Sequence, residues 1–318
     1  MTHIHFADAH VDWPGQGGWG SSRQLEGLQL LHGAVRVFFC EPTTAGNQGF
    51  HVSWRDHLAE IQKLRDAAMN HAHANNIAIT TTWCVEGLES IHTIAEAKEF
   101  LGILSRDFGV TAVIPIYHPG NPLGGCSKES GIGLTELGAD VIRMMFAMDI
   151  VVDFAHMSHQ SMCDVLVLAD TWAREHEGEY PRICYSHGGI VHDQLTDPLI
   201  VNSNSERCIT AELAQKIINR KGIVCLSGSR PFYPNIGLFI KHIESLVYPD
   251  NGNNLRVGIG MDYGGILDEW RFDGCATIAE AHQTIGRALI DQLGAEEAGI
   301  IQQVCGTNVL RFYRIEAS

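Results

Sequence analysis

Short runs of apolar residues alternate along this chain with longer segments in which apolar residues recur every three or four positions. The short runs predict buried strands, and the longer segments predict amphipathic helices. Strands are expected at residues 3–9, 34–40, 77–83, 111–117, 149–154, 181–186, 222–227 and 256–261. Helices are expected at residues 55–73, 93–107, 135–148, 159–175, 210–220 and 277–292.

Eight strands that alternate with helices indicate an α/β fold with a parallel sheet. Closure of that sheet into a (β/α)8 barrel is the arrangement we expect, and an open doubly wound sheet is the alternative. No linker, low-complexity tract or internal repeat interrupts the pattern. Residues 1–318 are therefore predicted to form a single barrel domain.

The opening stretch, residues 7–14, reads as a strand that ends in a turn, because Pro14 and a glycine-rich run follow it. Residues two apart on a strand point to the same face. His10 and Asp12 would therefore project side by side and offer a nitrogen and an oxygen ligand. This pair suits a divalent metal such as zinc, although for the two residues taken alone a chance polar strand end is the stronger interpretation.

Further histidines and acids follow the other predicted strands, and the carboxyl ends of barrel strands meet at one face. In chain order they are Glu86, His118, His156, His187 and Asp262. His10, Asp12, His156, His187 and a carboxylate exceed the three protein ligands typical of one catalytic zinc. Two metal ions would use them all, and Asp262 would be placed to move a proton.

The composition of the chain limits the classes of partner and the cellular location that we expect for it. The chain has 37 acidic and 22 basic residues, a net charge of -15 and no basic run, so nucleic acid is an unexpected partner. Its nine cysteines lack paired spacing and indicate reduced thiols. No run of 18 apolar residues occurs, so we expect no membrane span and a cytoplasmic protein.

The ordered set of motifs resembles the renal (membrane) dipeptidase family of metallopeptidases, a branch of the amidohydrolase superfamily. The resemblance rests on His-x-Asp at residue 10, Val-Glu-Gly at residue 85, Asp-x-x-His at residue 153, Ser-His at residue 186 and Gly-Ile-Gly-x-Asp at residue 258. It extends over residues 7–313, including the ending Gly306–Arg311.

This resemblance implies a zinc dipeptidase that cleaves small dipeptides, with or without a D-residue at the C-terminal position, by a metal-bridging hydroxide. His10 and Asp12 would bind one of two zinc ions, His156 and His187 the other, and Glu86 would bridge them. Asp262 would be the proton shuttle. His118 would polarise the scissile carbonyl. The family also suggests a homodimer.

Arg207 would bind the terminal carboxylate of the substrate, for which a guanidinium is well suited. Arg230 is the other candidate, with a surface ion pair as its alternative role. Tyr233 would line the substrate pocket, unless it is a packed core aromatic. Alternative functions are another amidohydrolase activity, on an acylated amino acid, lactam or lactone, or a metal-binding protein without turnover.

Overall fold

The computed structural model describes residues 4–12, 22–26, 31, 33–39, 53–74, 81–191, 205–248 and 256–315. Over these residues the strands are β1 (Ala7–Asp12), β2 (Gly33–Phe39), β3 (Thr81–Glu86), β4 (Val110–Ile114), β5 (Val151–Asp153), β6 (Ile183–Tyr185), β7 (Gly189–Val191), β8 (Cys208–Thr210), β9 (Ile223–Leu226) and β10 (Val257–Ile259). The helices are α1 (Trp54–Ala74), α2 (Ile94–Phe108), α3 (Glu136–Ala147), α4 (His159–Glu175), α5 (Ala211–Asn219), α6 (Ile236–Val247), α7 (Ile278–Leu293), α8 (Ala298–Gln302) and α9 (Asn308–Tyr313).

Two compact units make up the described chain. The first unit comprises the described residues of Met1–Arg36, Ile77–Thr81 and Tyr185–Ser318. The second unit comprises those of Val37–Asn76 and Thr82–Cys184. The single domain expected over residues 1–318 stays a prediction.

The second unit is built on a parallel ladder in which β3, β4, β5 and β6 pair in chain order. Helices α2, α3 and α4 connect these strands, as a parallel pairing requires. Their starts are fixed by side-chain caps. Thr93 and Glu96 form a reciprocal capping box at α2, and the Thr135 side chain accepts the N–H of Gly138 at α3.

The first unit contains a parallel pair of β9 and β10, with Val224 opposite Val257. The opening strand β1 lies beside the chain that leaves β10. Val11 and Tyr263 form a parallel bridge, and the N–H of Asp12 donates to the carbonyl of Tyr263 at 2.9 Å. The first and last strands of the chain are thus neighbours, so residues that follow β10 are brought to the end of β1.

The helical and strand pattern of the sequence is largely confirmed. All six predicted helices are present with bounds within one residue of those expected. The first strand occupies Ala7–Asp12, which confirms the strand expected at the start of residues 7–14 and lies later than the range 3–9. Strand β3 occupies Thr81–Glu86 rather than 77–83, of which 77–80 lie outside the described residues. Both strands run further because polar residues at their ends, such as His10 and Glu86, are buried with the apolar ones.

Several short elements were not predicted: β7, β8, α6, α8 and α9. A five-residue π-helical segment, Gln303–Thr307, joins α8 to α9. No helix in the described ranges has both the length and the apolar character needed to cross a membrane.

Candidate functional site

Four of the predicted site residues converge in the first unit. His10 and Asp12 end β1, His187 follows β6, and Asp262 follows β10. All four are buried, with exposed fractions of 0%, 5%, 1% and 7%. Because buried charged and polar groups require partners, this cluster must be stabilised by contacts among its members or by a bound ion.

Three side chains of the cluster, those of His10, Asp12 and Asp262, have potential ligand atoms close to one another. His10 Nε2 is 3.4 Å from Asp12 Oδ1 and 3.6 Å from Asp262 Oδ1. One potential ligand atom from each of these three residues lies within 4.8 Å of the others. The His187 ring is beside that of His10, with ring centroids 3.8 Å apart, and Ser186 Oγ is 3.0 Å from His187 Nδ1.

A glycine makes room for the two carboxylates of this cluster. A Cβ atom built on Gly265 would lie 2.1 Å from Asp12 Oδ2 and 2.5 Å from Asp262 Oδ1. A side chain at this position would displace the two carboxylates, so glycine lets the backbone approach both acids in their present positions.

Asp262 has an unusual backbone and an unusual electrostatic environment. Its φ of 59° lies in the left-handed region, where residues other than glycine are uncommon and often functional. Burial, and then the neighbouring Asp12 carboxylate, raise the pKa of Asp262 above its usual range, while His10 and Arg207 oppose the rise. A carboxylate in this environment can take up a proton near neutral pH.

Two further predicted ligands meet in the second unit. Glu86 ends β3, and His156 follows β5 in the turn before α4. His156 Nε2 is 3.0 Å from Glu86 Oε1, and Glu86 is 3% exposed. His156 also has a left-handed φ, of 65°, which turns the chain sharply between β5 and α4. Together the two residues offer a nitrogen and an oxygen ligand.

His118 lies in the segment after β4 and is half-buried. The ring of Tyr117 lies 4.5 Å from that of His118 and 4.2 Å from that of His156, measured between centroids. Glu89, which sequence reasoning did not single out, holds this segment. Its Oε1 accepts the N–H groups of Tyr117 and His118 and the side-chain N–H of Asn121, each at 3.0 Å.

Arg207 is held in the first unit by the small parallel sheet of β7 and β8, which is separate from the main ladder. The hydroxyl of Tyr185, at the end of β6, donates to the backbone carbonyl of Arg207, with an oxygen–oxygen distance of 2.5 Å. The Arg207 guanidinium carbon lies 5.4 Å from the ring centroid of Phe232. Its charge also lowers the pKa of Asp262, so the two groups interact electrostatically.

Gly188 allows the chain to turn between His187 and β7. Its φ is 133°, and a Cβ there would lie 2.0 Å from the Tyr185 hydroxyl. This turn therefore requires glycine.

The remaining two candidates have defined contacts of their own. Tyr233 is 1% exposed, its hydroxyl accepts the N–H of Ile190 at 3.1 Å, and burial raises its pKa well above the usual range. Its pocket-lining role stays a prediction. Arg230 forms an ion pair with the exposed Asp273, which is the surface role considered as its alternative.

The cluster of His10, Asp12 and Asp262 fits a metal ion. Asp12 Oδ1 is buried and accepts no hydrogen bond from the described residues, so it retains ligand capacity. Imidazole and carboxylate are the ligand types that zinc and similar divalent ions prefer. In the second unit, Glu86 and His156 supply the same ligand types.

Of the neighbours of the cluster, the sequence does not single out His282, whereas Asp8 shares the strand parity of His10, which suggests either support of a ligand or a structural role at the barrel floor. Asp8 and His282 form a buried pair next to His10, with a separation of 2.7 Å. The sequence carried a signal for His282, which interrupts the apolar face of α7 formed by Ile278, Ile285 and Leu289. Glu89 had no such signal, since nothing in its local pattern indicates burial.

Comparisons with known proteins identify a family for the chain and similar folds among solved structures. The family model for membrane dipeptidases (peptidase family M19) matches residues 56–317. No curated protein sequence matches the chain. Among solved structures it is similar to the dipeptidase AC, a metallopeptidase of family M19, with 16% identity, a TM-score of 0.69 and 99% of each chain covered.

Two other solved structures are similar over nearly the full length. An amidohydrolase from Pseudomonas aeruginosa has 17% identity and a TM-score of 0.67, with 98% of this chain and 96% of that chain covered. A metallopeptidase from Rhodobacter sphaeroides, liganded with a phosphinate mimic of the dipeptide L-Ala-D-Ala, has 16% identity and a TM-score of 0.65, with 98% and 99% covered. These likenesses confirm the predicted α/β fold with a central parallel sheet.

Proposed function

This chain belongs to the membrane dipeptidase family, and from that membership we propose that it is a binuclear zinc dipeptidase. The observation that carries the proposal is the buried group of His10, Asp12 and Asp262, whose potential ligand atoms lie within 4.8 Å of one another. Such a group costs folding free energy unless a cation balances it, so its presence favours metal binding.

The proposed ligands are His10 and Asp12 for one ion and His156 and His187 for the other, with Glu86 between the two ions. The contact of Glu86 with His156 and the close approach of the His10 and His187 rings, which are tilted by 38°, support these roles. Bound zinc would supply a water of lowered pKa and a Lewis acid for the peptide carbonyl.

Three side chains would bind the substrate or transfer its protons. Asp262 would accept a proton from the attacking water and pass it to the amine as the peptide bond breaks, a role that suits its raised pKa. His118 would donate a hydrogen bond to the carbonyl oxygen as negative charge develops there. Arg207 would bind the free carboxylate of the dipeptide.

We propose that the substrates include dipeptides with a D-residue at the C-terminal position. The structurally similar Rhodobacter protein was crystallised with a mimic of L-Ala-D-Ala, and this supports the proposal by analogy of fold and family. A carboxylate bound by Arg207 fixes the end of the substrate but does not itself select the configuration of the neighbouring carbon.

The first experiment measures the metal content and the dipeptide turnover of one preparation purified without chelator. We expect close to two zinc ions per chain and release of amino acids from L-Xaa–L-Xaa or L-Xaa–D-Xaa dipeptides. Two bound ions without dipeptide cleavage would indicate that the substrate is instead an acylated amino acid, a lactam or a lactone. Failure to bind zinc even after reconstitution would refute the mechanism.

The Asp262→Asn variant separates an enzyme from a metal-binding protein without turnover. Loss of the proton acceptor should lower kcat at least 100-fold while most of the zinc is retained. Wild-type turnover by this variant would contradict the role of Asp262.

The Arg207→Met variant tests recognition of the substrate carboxylate. Because a hydrogen-bonded charge contributes about 1.5–3 kcal/mol, KM should rise about 10-fold to 100-fold with little change in kcat. The matched control is Arg230→Met, which removes an exposed guanidinium paired with Asp273 and should leave KM unchanged. Equal effects of the two variants would argue against Arg207 as the carboxylate-binding residue.

A further inference from the structure

Asp8 and His282 form a fully buried acid–histidine pair within the first unit. Both residues are 0% exposed, and His282 Nε2 lies 2.7 Å from Asp8 Oδ2. The two residues are 274 positions apart, since Asp8 lies on β1 and His282 in the second turn of α7. The ring of Phe6 packs 5.6 Å from the imidazole, so the pair has an apolar neighbour.

The hydrogen bond from His282 leaves the other oxygen of Asp8 for the backbone of the proposed site. Asp8 Oδ1 accepts the N–H of His10 at 2.9 Å and the N–H of Met261 at 3.1 Å. His10 is a proposed metal ligand, and Met261 directly precedes Asp262. One carboxylate therefore connects the chain at His10 to the chain at Asp262.

A second backbone contact acts between the same two segments. The N–H of Asp262 donates to the carbonyl of His10 at 3.0 Å. The distance between His10 Nε2 and Asp262 Oδ1, 3.6 Å, thus depends on the position of β1 relative to the residues after β10. Asp8 bonds to the backbone of both segments and so helps to hold β1 in place against the residues after β10.

The orientation of Asp8 depends in turn on His282. A buried carboxylate is costly unless its lone pairs are used, and His282 is the only side chain of the described residues that donates to Asp8. His282 Nδ1 is buried and has no hydrogen-bond partner among the described residues, so the ring hydrogen is best placed on Nε2 and donated to Asp8. Without it, Oδ2 would keep only the 3.3 Å contact with the N–H of Met261.

We propose that His282 and Asp8 are positioning residues that hold the proposed ligand His10 in place relative to the chain at Asp262 and thereby set the affinity of the His10 site for its metal ion. The proposal rests on the metal site of the proposed function. Groups that orient the ligands of a metal from behind typically change its affinity about 10-fold to 100-fold when they are removed.

The test is the dissociation constant for zinc of the metal-free protein, measured by competition with a chromophoric chelator. The His282→Leu variant, which loses the donor at similar volume, should bind the ion of the His10 site about 10-fold to 100-fold more weakly. The His282→Gln variant, which retains an N–H donor, should bind within about threefold of wild type. Wild-type affinity of His282→Leu would overturn the proposal.

The control is His57→Leu, which removes a histidine of similar burial from α1. It should lower the thermal unfolding temperature of the metal-free protein and leave the zinc affinity unchanged. An equal loss of affinity in this control would show a general effect of stability and would overturn the positioning role. If His282→Leu fails to fold, Asp8→Asn takes its place, with the same expected weakening and the same overturning result.

The outcomes also separate this proposal from the proposed function. Absence of zinc binding by the wild-type protein would refute the metal site itself. Tight binding by the wild type together with tight binding by His282→Leu would refute only the role of the buried pair.

Discussion

A single carboxylate oxygen of Glu89 accepts hydrogen bonds from three N–H groups in the segment that contains His118. Glu89 is 1% exposed, and hydrogen bonds to a buried charged group are stronger than those between neutral groups. Asn121, one of the three donors, also donates to the carbonyl of Pro115 and accepts the N–H of Leu123. The backbone of His118 is therefore held by a compact network centred on one acid.

Replacement of Glu89 by leucine should reduce kcat at least 10-fold without loss of bound metal, because His118 would no longer be held toward the substrate carbonyl. The Glu89→Gln variant keeps one acceptor oxygen and should fall between leucine and wild type. The measurements are steady-state kinetics and metal content. Glu129→Gln is the matched control, since Glu129 also accepts backbone N–H groups but none from His118. A parallel loss of metal from Glu89→Leu would contradict this role.

Among single residues, the sequence indicates those that do chemistry better than those that support them, of which only Asp8 is suggested, by the strand parity that it shares with His10. His10, Asp12 and Asp262 could be predicted because each follows or ends an apolar run, and the structure brings them together. Asp8 and His282 belong to distant segments, and their contact depends on the packing of α7. Glu89 was missed for the same reason, because its donors lie 28 to 32 residues further along the chain.

Among the elements, the two-stranded sheet of β7 and β8 has a clear consequence for Arg207. It pairs Gly189 with Cys208, and so connects the residues after His187 to the residues after Arg207. The Tyr185 hydroxyl lies next to both ends, 3.2 Å from the carbonyl of Gly189 and 2.5 Å from that of Arg207. Tyr185 is 1% exposed, so its hydroxyl depends on these acceptors.

The Tyr185→Phe variant should raise KM for dipeptides about threefold to 30-fold, with kcat changed less than KM. Loss of the hydroxyl leaves the two carbonyls without this donor, which costs about 1–3 kcal/mol and loosens the chain at Arg207. Steady-state kinetics give both constants. The Tyr180→Phe variant, which removes a less buried hydroxyl ahead of β6, should match the wild type. A fall in kcat alone, with KM unchanged, would contradict the argument.

The elements differ in how far their sequences predict them. Most of the six predicted helices have a cap and an apolar face that extends over three turns or more, as in α2. The shorter helix α5 has a cap directly before a strongly apolar face. Strands β7 and β8 have three residues each, too few for a period of two to be visible. The apolar residues of α6 do lie on one buried face, but the Pro-containing stretch before them obscures the start of this helix in the sequence. They include Phe239, Ile240, Ile243 and Leu246.

For the molecule as a whole, the pH dependence of the free energy of unfolding should include a contribution from one buried histidine that takes no part in the proposed chemistry. His57 on α1 is 2% exposed, its Nδ1 is 2.9 Å from Ser90 Oγ, and its ring packs against Phe100. Burial lowers the pKa of His57 from 6.5 to about 4. The folded protein therefore resists protonation of this ring, whereas the unfolded chain does not.

The free energy of unfolding should decrease as the pH falls from 6.5 towards 4, because only the unfolded chain takes up the proton in this range. The contribution of His57 amounts to about 3 kcal/mol over the full window. The His57→Leu variant should lack this part of the pH dependence in urea unfolding curves. His159→Leu, which removes an exposed histidine, should retain it. An unchanged slope in His57→Leu would show that other groups account for the acid sensitivity.

At the scale of the whole molecule, the alternation of strands and helices was sufficient to predict the fold class. Parallel pairing could be inferred because each strand is followed by a helix, and this holds for the ladder from β3 to β6. The family was predictable from motif order, although no single motif would have sufficed. Hydrogen-bond networks such as those of Asp8 and Glu89 had to be observed, since they depend on side-chain directions in three dimensions.

The pairing of β7 with β8 also bears on how relatives of this protein can diverge. Strand β7 follows His187 and β8 follows Arg207, and the pairing of Gly189 with Cys208 ties the two segments together, as does the Tyr185 hydroxyl. The backbone at Arg207 and the backbone after His187 therefore form one inherited unit, although the two segments lie apart in the sequence.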